Sequence, residues 1–180
     1  MIEQMSPTLK KRYNIFAGLM AEARVPFGLN EVLRTKIRQL AYAAQGRTTP
    51  ELKAMCEKYQ WSLSLSRVKT LEAAGKTPQE ICDIFRQESN LAPLKGREWY
   101  VVTKTLNSRH FANDQGLSDA FDIKIFRPGN VPTWDTKYDA DMDGIPEYLE
   151  AARIGKKAGL DAGGLWTGTF RDWPHFNLPR

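Results

Sequence analysis

An acidic stretch near the C-terminus places the tightest constraint on how this chain folds. Acidic side chains occupy positions 1, 3, 5, 9 and 12 of the twelve residues Asp139–Glu150, and Gly144 is at position 6. Oxygen donors at this spacing wrap around one Ca²⁺ ion, and glycine at position 6 allows the sharp turn that this requires. The spacing predicts as ligands the backbone carbonyl of Ile145 and the carboxylates of Asp139, Asp141, Asp143 and Glu150.

The surroundings of this loop differ from those of paired calcium loops. Prolines upstream argue against an entering helix, and Pro146 lacks the N–H through which paired loops bridge. We therefore expect a lone loop that leads into one helix, from Pro146 to about Lys157. The alternative is an acidic turn in solvent without an ion. A bound ion would lie in sequence between Asp122 and His175 and could order both.

The two histidines of the chain each lie in a short polar cluster. His110 precedes Asp122 by twelve positions, and Asp172 stands three residues before His175. Two histidines and one aspartate are a frequent zinc ligand set that leaves a fourth position open for water. Asp172 could act on that water as a general base. The alternative is one buried, hydrogen-bonded histidine and one surface histidine.

These clusters resemble the signature of a known enzyme group. Ser108 to His110, Ala120 to Asp122 and Asp172 to Phe176 are similar to the motifs of zinc peptidases grouped with D-Ala-D-Ala carboxypeptidases and lysostaphin. Within that group they most resemble the L-alanyl-D-glutamate endopeptidases of tailed phages. The resemblance implies zinc held by His110, Asp122 and His175, with Asp172 as the catalytic carboxylate.

One spacing departs from that signature. The family places its first histidine and its aspartate closer together than the twelve positions found here. The extra residues fall in Ala112–Gly116, a turn-forming run that a loop can absorb. Ser108 is interpreted as a supporting residue near the substrate, because no base stands near it in sequence to make it a nucleophile.

Two further segments carry the same resemblance. Phage peptidases are similar from Arg34 to Thr48, which implies that Arg34 grips the substrate through its planar fork and that Gln39 supports it. The alternative for Arg34 is a surface residue that caps a helix. The turn ending at Trp166 resembles the one before the family's catalytic aspartate, and it implies Trp166 at the substrate. Ala162 replaces the family's first tryptophan there.

The length of 180 residues suits a single domain. The elements predicted below, together with the family resemblance, imply an α+β fold with a small antiparallel sheet flanked by helices. Ser6-Pro7 starts an amphipathic helix. Strands are predicted from Phe27 into Arg34, from Glu98 to Thr105, and over Phe121–Ile125. Alternation in the last strand places Asp122 on the face opposite its apolar neighbours.

Residues from about 49 to 94 are predicted to form a helical insertion that the compact family pattern lacks. Thr49-Pro50 and Thr77-Pro78 are expected to start helices, and Thr77 with Glu80 forms a capping box. This segment could position substrate, bind the cell wall or have no separate activity.

Composition and charge limit the partners. Apolar residues make up 42% of the chain, enough for a packed core. The formal charge of +5 favours an anionic partner, which could be nucleic acid, a membrane surface or the acidic polymers of a cell wall. The basic residues are too scattered for nucleic-acid binding, and no apolar stretch suits a signal peptide or a membrane span. We expect a monomer made in the host cytoplasm that reaches the wall after another protein permeabilises the membrane.

Cys56 and Cys82 are predicted to be reduced core thiols.

These features predict a zinc-dependent endopeptidase, an antimicrobial endolysin of the phage type that cuts the stem peptide of peptidoglycan between L-Ala and D-Glu. Zn²⁺ is the expected cofactor, with Ca²⁺ as a second. One alternative is the same chemistry at a D-Ala-D-Ala bond. Another is a non-catalytic, calcium-dependent module that binds the cell wall and in which the histidines are structural.

Overall fold

The computed structural model describes residues 1–94 and 99–179, except for the side chain of Thr169. The described residues confirm the α+β prediction, with six α-helices and an open antiparallel sheet of five strands. In chain order the elements are α1 (Pro7–Glu22), β1 (Phe27–Glu31), α2 (Lys36–Ala44), α3 (Thr49–Lys58), α4 (Ser62–Ala73), α5 (Pro78–Glu88), β2 (Ala120–Arg127), β3 (Val131–Thr133), α6 (Glu147–Lys157), β4 (Asp161–Ala162) and β5 (His175–Asn177).

The chain divides into two compact units, each with its own apolar core. The first unit joins Met1–Leu33 to Arg109–Arg180 and contains the sheet with α1 and α6. The second unit, Arg34–Ser108, contains α2 to α5. None of the described helices combines the length and the apolar composition needed to cross a membrane.

Strand β2 is the centre of the sheet in the first unit. β1 pairs along one of its edges, while β3 and β5 pair with different parts of the other edge, and β4 adds to β5. In this antiparallel register Asp122 of β2 lies directly opposite His175 of β5. Pairing of β2 with β5 therefore brings together two residues that are far apart in sequence.

Alternation along the strands separates the core from the polar face. Phe121 and Phe176 are fully buried beside Phe16 of α1, with ring centroids 5.8 and 4.9 Å from it. Since neighbouring residues of a strand point to opposite faces, Asp122 and His175 face away from this aromatic cluster. Burial of the aromatic side chains thus sets the orientation of the polar ones.

The helices of the first unit form where the sequence predicts them. The hydroxyl of Ser6 accepts a hydrogen bond from the Leu9 N–H at 3.4 Å, and Pro7 follows as the first helical residue. The predicted apolar face of α1 is buried at Leu9, Phe16 and Met20. Helix α6 buries a stripe that includes Tyr148, Ala151, Ala152 and Gly155.

The second unit confirms the predicted helices and free thiols but corrects one cap. The predicted capping box of Thr77 and Glu80 is present at the start of α5. Helix α3 is capped by Thr48, not by Thr49, because only Thr48 has a glutamate at the spacing of a capping box. Cys56 and Cys82 are buried free cysteines, and burial raises their pKa values to about 11 and about 12.

Two strand predictions are wrong in part. The strand predicted from Glu98 to Thr105 is absent over Trp99–Thr105, while Glu98 lies outside the described residues. Side chains take the carbonyls that a strand ladder would use, since Gln39 donates to Thr105 at 2.6 Å and Arg47 donates to Thr103. The aliphatic residues of this segment, Val101 and Val102, are also exposed. A strand here would therefore lack the stabilisation that packed β-branched side chains usually provide.

The strand predicted to run from Phe27 into Arg34 is shorter than expected. β1 ends at Glu31, and its register with β2 is irregular after Leu29. Thr35 instead caps α2 by accepting a hydrogen bond from the Arg38 N–H at 3.3 Å. Because Thr35 begins a helix, the pairing of β1 with β2 ends before it.

Candidate metal centre

Three buried side chains of the first unit converge on one point. His110 Nε2, Asp122 Oδ1 and His175 Nδ1 are each 3.1 Å from the other two. His110 is 2% exposed, His175 6% and Asp122 8%. The structure thus brings together the three residues predicted from the sequence as zinc ligands, and such a group could bind a metal ion.

Hydrogen bonds on the far side of each ring determine which nitrogens carry protons. His110 Nδ1 lies 2.8 Å from the backbone carbonyl of Val32, which can only accept, so Nδ1 is the donor. His175 Nε2 lies 3.1 Å from Asn177 Oδ1, whose amide nitrogen is committed to the Leu178 carbonyl at 2.6 Å. Each ring therefore directs its unprotonated nitrogen at the shared point, as metal-ligating histidines do.

The electrostatics of the centre favour a positive charge at that point. Burial opposes ionisation of Asp122, but the two histidines outweigh it and hold the pKa of Asp122 well below its usual range. Burial also disfavours a charged His175, but Asp122, with a smaller contribution from Asp172, outweighs it and raises the pKa of His175. The centre therefore stabilises a carboxylate next to a cation, and a metal ion would take the place of a proton.

The separations of the three atoms fit zinc. Ligand atoms bound tetrahedrally at 2.0–2.1 Å lie roughly 3.3 Å from one another, close to the 3.1 Å separations observed here. Two imidazole nitrogens and one carboxylate oxygen are also a donor set that zinc accepts. The residues present therefore fit a zinc ion with one position left for water.

The long spacing between His110 and Asp122 is absorbed as predicted. The side-chain oxygen of Asn113 accepts hydrogen bonds from the N–H groups of Gln115 and Leu117, at 3.0 and 3.1 Å. The Gly116 N–H donates to the Asn113 carbonyl at 2.9 Å and closes the turn. The chain leaves His110, turns and enters β2 without moving the two ligand atoms apart.

Asp172 and Trp166 lie beside the centre in the same unit. Asp172 is exposed on the turn before β5, and its carbonyl accepts a hydrogen bond from the His175 N–H at 3.2 Å. The ring centroid of Trp166 is 5.4 Å from that of His175, and its indole N–H donates to Asp161 at 2.8 Å. An exposed carboxylate and an anchored indole therefore flank one of the ligand histidines.

The other residues predicted at the substrate belong to the second unit. Arg34 donates to the side-chain oxygen of Gln39 at 2.7 Å and stacks over the ring of Tyr42 at 4.9 Å. Gln39 is 1% exposed and donates in turn to the Thr105 carbonyl. Ser108 is half-buried at the end of this unit. Gln39 therefore holds Arg34 in place, whereas a role for these residues at the substrate stays a prediction.

The acidic loop forms a second candidate site in the first unit. Carboxylate oxygens of Asp139, Asp141 and Asp143 lie within 4.8 Å of one another, and Gly144 has the positive φ of +86° that its turn requires. Burial raises the pKa of Glu147, and the charges of Asp139 and Asp141 raise it further. Hydrogen bonds to the Glu147 carboxylate lower this pKa but do not outweigh the other two causes. Burial and neighbouring carboxylates likewise raise the pKa of Glu150. Negative charge is therefore crowded in this loop.

Two residues that orient the histidines were missed by sequence analysis. The carbonyl of Val32 left no signal, because a backbone group has no side-chain identity. Asn177 did leave one, since it stands two positions after His175 on a strand and so points to the same face. An amide at that spacing beside a ligand histidine is a feature that can be searched for.

Comparison with known proteins gives partial support to the peptidase resemblance. No protein family model matches the chain. Over 59 residues the chain is 32% identical to the peptidoglycan L-alanyl-D-glutamate endopeptidase CwlK of Bacillus subtilis. The match covers 33% of this chain and 35% of that protein, so the chain matches about a third of the length of this relative.

Proposed function

We propose that this chain is a zinc-dependent endopeptidase that cleaves the stem peptide of bacterial peptidoglycan, between L-Ala and D-Glu. The observation that carries the proposal is the convergence of His110 Nε2, Asp122 Oδ1 and His175 Nδ1 at mutual distances of 3.1 Å. Both rings direct an unprotonated nitrogen at that point. The 59-residue similarity to a peptidoglycan endopeptidase favours this substrate over other peptides.

In this mechanism, His110, Asp122 and His175 would hold the ion and keep it at the polar face of β2 and β5. Bound zinc would polarise the scissile carbonyl and lower the pKa of a water molecule. Val32 and Asn177 keep the two imidazoles in the tautomers that leave Nε2 of His110 and Nδ1 of His175 free of protons. The buried surroundings strengthen each of these electrostatic interactions.

Asp172 is proposed as the group that moves the proton. Its carboxylate is exposed, so a water molecule and a peptide can reach it, and its charge acts on His175. The carboxylate would take a proton from the attacking water and deliver one to the leaving amide nitrogen. Trp166 would form one wall of the substrate site beside His175.

Further parts of the proposal concern the substrate and the setting. We assign substrate orientation to Arg34, held by Gln39, with Ser108 as a supporting residue. The formal charge of +5 would favour encounter with the anionic wall. The proposed setting is host lysis by a phage-type endolysin, acting as a monomer after another protein has opened the membrane. Ca²⁺ at the acidic loop is a second proposed cofactor.

The test is product analysis on purified peptidoglycan digested by zinc-loaded protein. Cleavage at the proposed bond produces new amino termini on glutamate, whereas cleavage at D-Ala-D-Ala releases free D-alanine. The Asp172→Asn variant is the control for contaminating hydrolases and should form neither product. A protein that binds zinc and peptidoglycan without forming either product would be the non-catalytic module and would contradict the proposal.

A further inference from the structure

The acidic loop is held in shape by hydrogen bonds between its aspartates and its own backbone. Asp139 Oδ2 accepts from the Gly144 N–H at 2.9 Å, and Asp143 Oδ1 accepts from the Ile145 N–H at 2.7 Å. Asp141 Oδ1 accepts from the Asp143 N–H at 3.2 Å. Each aspartate thus uses one oxygen to hold the backbone of the loop, which leaves its second oxygen for another partner.

Glu147 supplies an independent sign that a cation belongs there. It is 5% exposed although it is the first residue of α6, and its Oε1 accepts a hydrogen bond from the Ala140 N–H within the loop. Within the described part of the chain, Glu147 Oε2 is buried without a hydrogen-bond partner, and so is Asp139 Oδ1. Burying a carboxylate oxygen unpaired is unfavourable, and a bound cation removes that penalty.

This position of Glu147 changes the ligand set that the sequence pattern predicts. In a standard calcium loop, the residue at position 9 often reaches the ion through water. Here the carboxylate of Glu147 folds back onto the loop through its bond to the Ala140 N–H, and its second oxygen is buried without a partner among the described residues, which favours direct binding of an ion over binding through water. Six oxygen donors or more are what Ca²⁺ requires, whereas Mg²⁺ demands a tighter octahedron and retains its water.

Helix α6 connects the loop to the metal centre through direct contacts. A Cβ on Gly155 would lie 2.5 Å from the ring of Phe176, the residue after His175. A Cβ on Gly164 would lie 2.9 Å from Ala152 of α6. On the neighbouring Gly163 it would lie 2.3 Å from the Asp172 carbonyl and 3.1 Å from His175 Cβ. These glycines let α6, the turn at 163–165 and β5 pack in direct contact.

We propose that one Ca²⁺ ion joins the acidic loop to the start of α6 and thereby stabilises the His110–Asp122–His175 centre. The second half of this inference rests on the zinc centre of the proposed function. The ion is held by the Ile145 carbonyl and by carboxylates of Asp139, Asp141, Asp143, Glu147 and Glu150.

The ion stabilises the centre because the start of α6 is weakly held without it. Its N-cap residue, Pro146, offers no side-chain cap, and acidic groups crowd its first turn. The ion neutralises those charges and fixes the first turn of α6 to the loop. Tyr148 in that turn is buried and donates to the carbonyl of Thr133 in β3 at 3.0 Å. Fixing the start of α6 therefore also stabilises the packing of α6 on the sheet.

The calcium site is tested by isothermal titration of the metal-stripped full chain with calcium chloride, and in parallel with magnesium chloride. We expect one Ca²⁺ per chain, weaker Mg²⁺ binding, and a rise in Tm of about 5–10 °C at calcium 100-fold above its Kd. Glu147→Gln should weaken calcium binding at least about tenfold, because charge at the ligands sets affinity. Asp143→Asn provides a second variant at an exposed position.

The matched control is Glu22→Gln, which removes the same charge from an exposed position at the end of α1. It should leave calcium affinity unchanged within about twofold, since Glu22 lies outside the ligand set and its exposed charge is screened by salt. Absence of calcium binding in the wild-type chain overturns the site. Wild-type affinity in Glu147→Gln overturns the assignment of Glu147 as a direct ligand.

The coupling between the calcium site and the His110–Asp122–His175 centre is tested by measuring zinc affinity with and without calcium. Competition with a chromophoric chelator gives this affinity. Wild-type protein should bind zinc about fivefold or more tightly with calcium, within the range of ordinary coupling between sites. Glu147→Gln should lose this gain. Calcium binding with no change in zinc affinity overturns the coupling. Peptidoglycan cleavage by zinc-loaded protein in calcium-free buffer tests the proposed function separately.

Discussion

The two candidate metal sites of the first unit are built in opposite ways. The His110–Asp122–His175 centre takes its atoms from a turn and two strands that are far apart in sequence, and all three side chains are buried. The acidic loop takes its atoms from the twelve consecutive residues Asp139–Glu150, and most of these residues are exposed or half-buried. The first site is a product of the fold, whereas the second is a product of local sequence.

This difference indicates different behaviour of the two sites. In the centre, a carbonyl and an amide outside the ligand set orient both imidazoles before any ion binds, and the sheet holds them. In the loop, the N–H groups of the loop itself position the carboxylates. A site held by the core should bind tightly and with fixed geometry, whereas an exposed loop opens more easily and can exchange its ion faster.

Loss of a ligand at the centre should have the largest effect of any substitution. His110→Ala removes one of three ligand atoms and leaves Asp122 buried beside a single histidine. We expect zinc bound per chain, measured by atomic absorption after dialysis, to fall from one to near zero, with peptidoglycan cleavage lost. Zinc retained at full stoichiometry would mean that the ion binds elsewhere. Far-UV circular dichroism verifies that the variant is folded.

Asp172→Asn should separate catalysis from metal binding. The side chain is exposed and lies outside the ligand set, so zinc content should stay at one per chain. Removing a general base lowers turnover by about 10²–10⁴-fold, and initial rates of glutamate amino-terminus formation measure this effect. Turnover within about twofold of wild type would remove Asp172 from the proton-transfer role.

Asn177 should affect the centre through His175 alone. Asn177→Ala removes the acceptor of the His175 Nε2–H, and zinc affinity should fall about 10–100-fold, as for other groups that orient metal ligands. Asn177→Asp keeps an acceptor at the same place and should restore most of that affinity.

Asn14→Ala, an exposed change on α1, is the control for Asn177 and should leave zinc affinity unchanged. The chelator competition assay measures all three variants. Equal zinc affinity in Asn177→Ala and wild type would show that the sheet alone orients His175.

The smallest effect is expected where α6 packs against β5. Gly155→Ala would push a methyl group into Phe176, and overpacking of this kind costs about 1–3 kcal/mol of unfolding free energy. Gly18→Ala in α1 meets no atom within 4 Å and should instead stabilise by about 0.5–1 kcal/mol. Urea unfolding compares the two. Stabilisation by both substitutions would show that α6 and β5 are not closely packed.

The two sites also differ in how far the sequence predicts them. The loop is specified by consecutive residues, so its spacing alone gave the three aspartates that the structure brings together. The centre depends on pairing of β2 with β5, which sequence reasoning does not supply. The grouping of His110, Asp122 and His175 was predicted from a resemblance to a known signature, and the register that builds it appears only in the fold.

The errors of the sequence analysis have a common cause in side chains that bind the backbone. Gln39 and Arg47 bind carbonyls of the segment ending at Thr105, where β-propensity predicts a strand. Thr48 displaces Thr49 as a helix cap because its partner is Glu51. Such bonds depend on which residues meet in space or on exact spacing, so propensity and periodicity do not reveal them.

X-ray absorption spectroscopy of the zinc-loaded protein tests whether His110, Asp122 and His175 bind zinc, since it reports the atoms bound to the ion. We expect two imidazole nitrogens and oxygen ligands, all at about 2.0–2.2 Å, with no sulfur near about 2.3 Å. The imidazole signal should be lost in His110→Ala and kept in Asp172→Asn. A sulfur ligand, or a zinc ion bound by oxygen atoms alone, would contradict the assignment of His110, Asp122 and His175 as the metal centre.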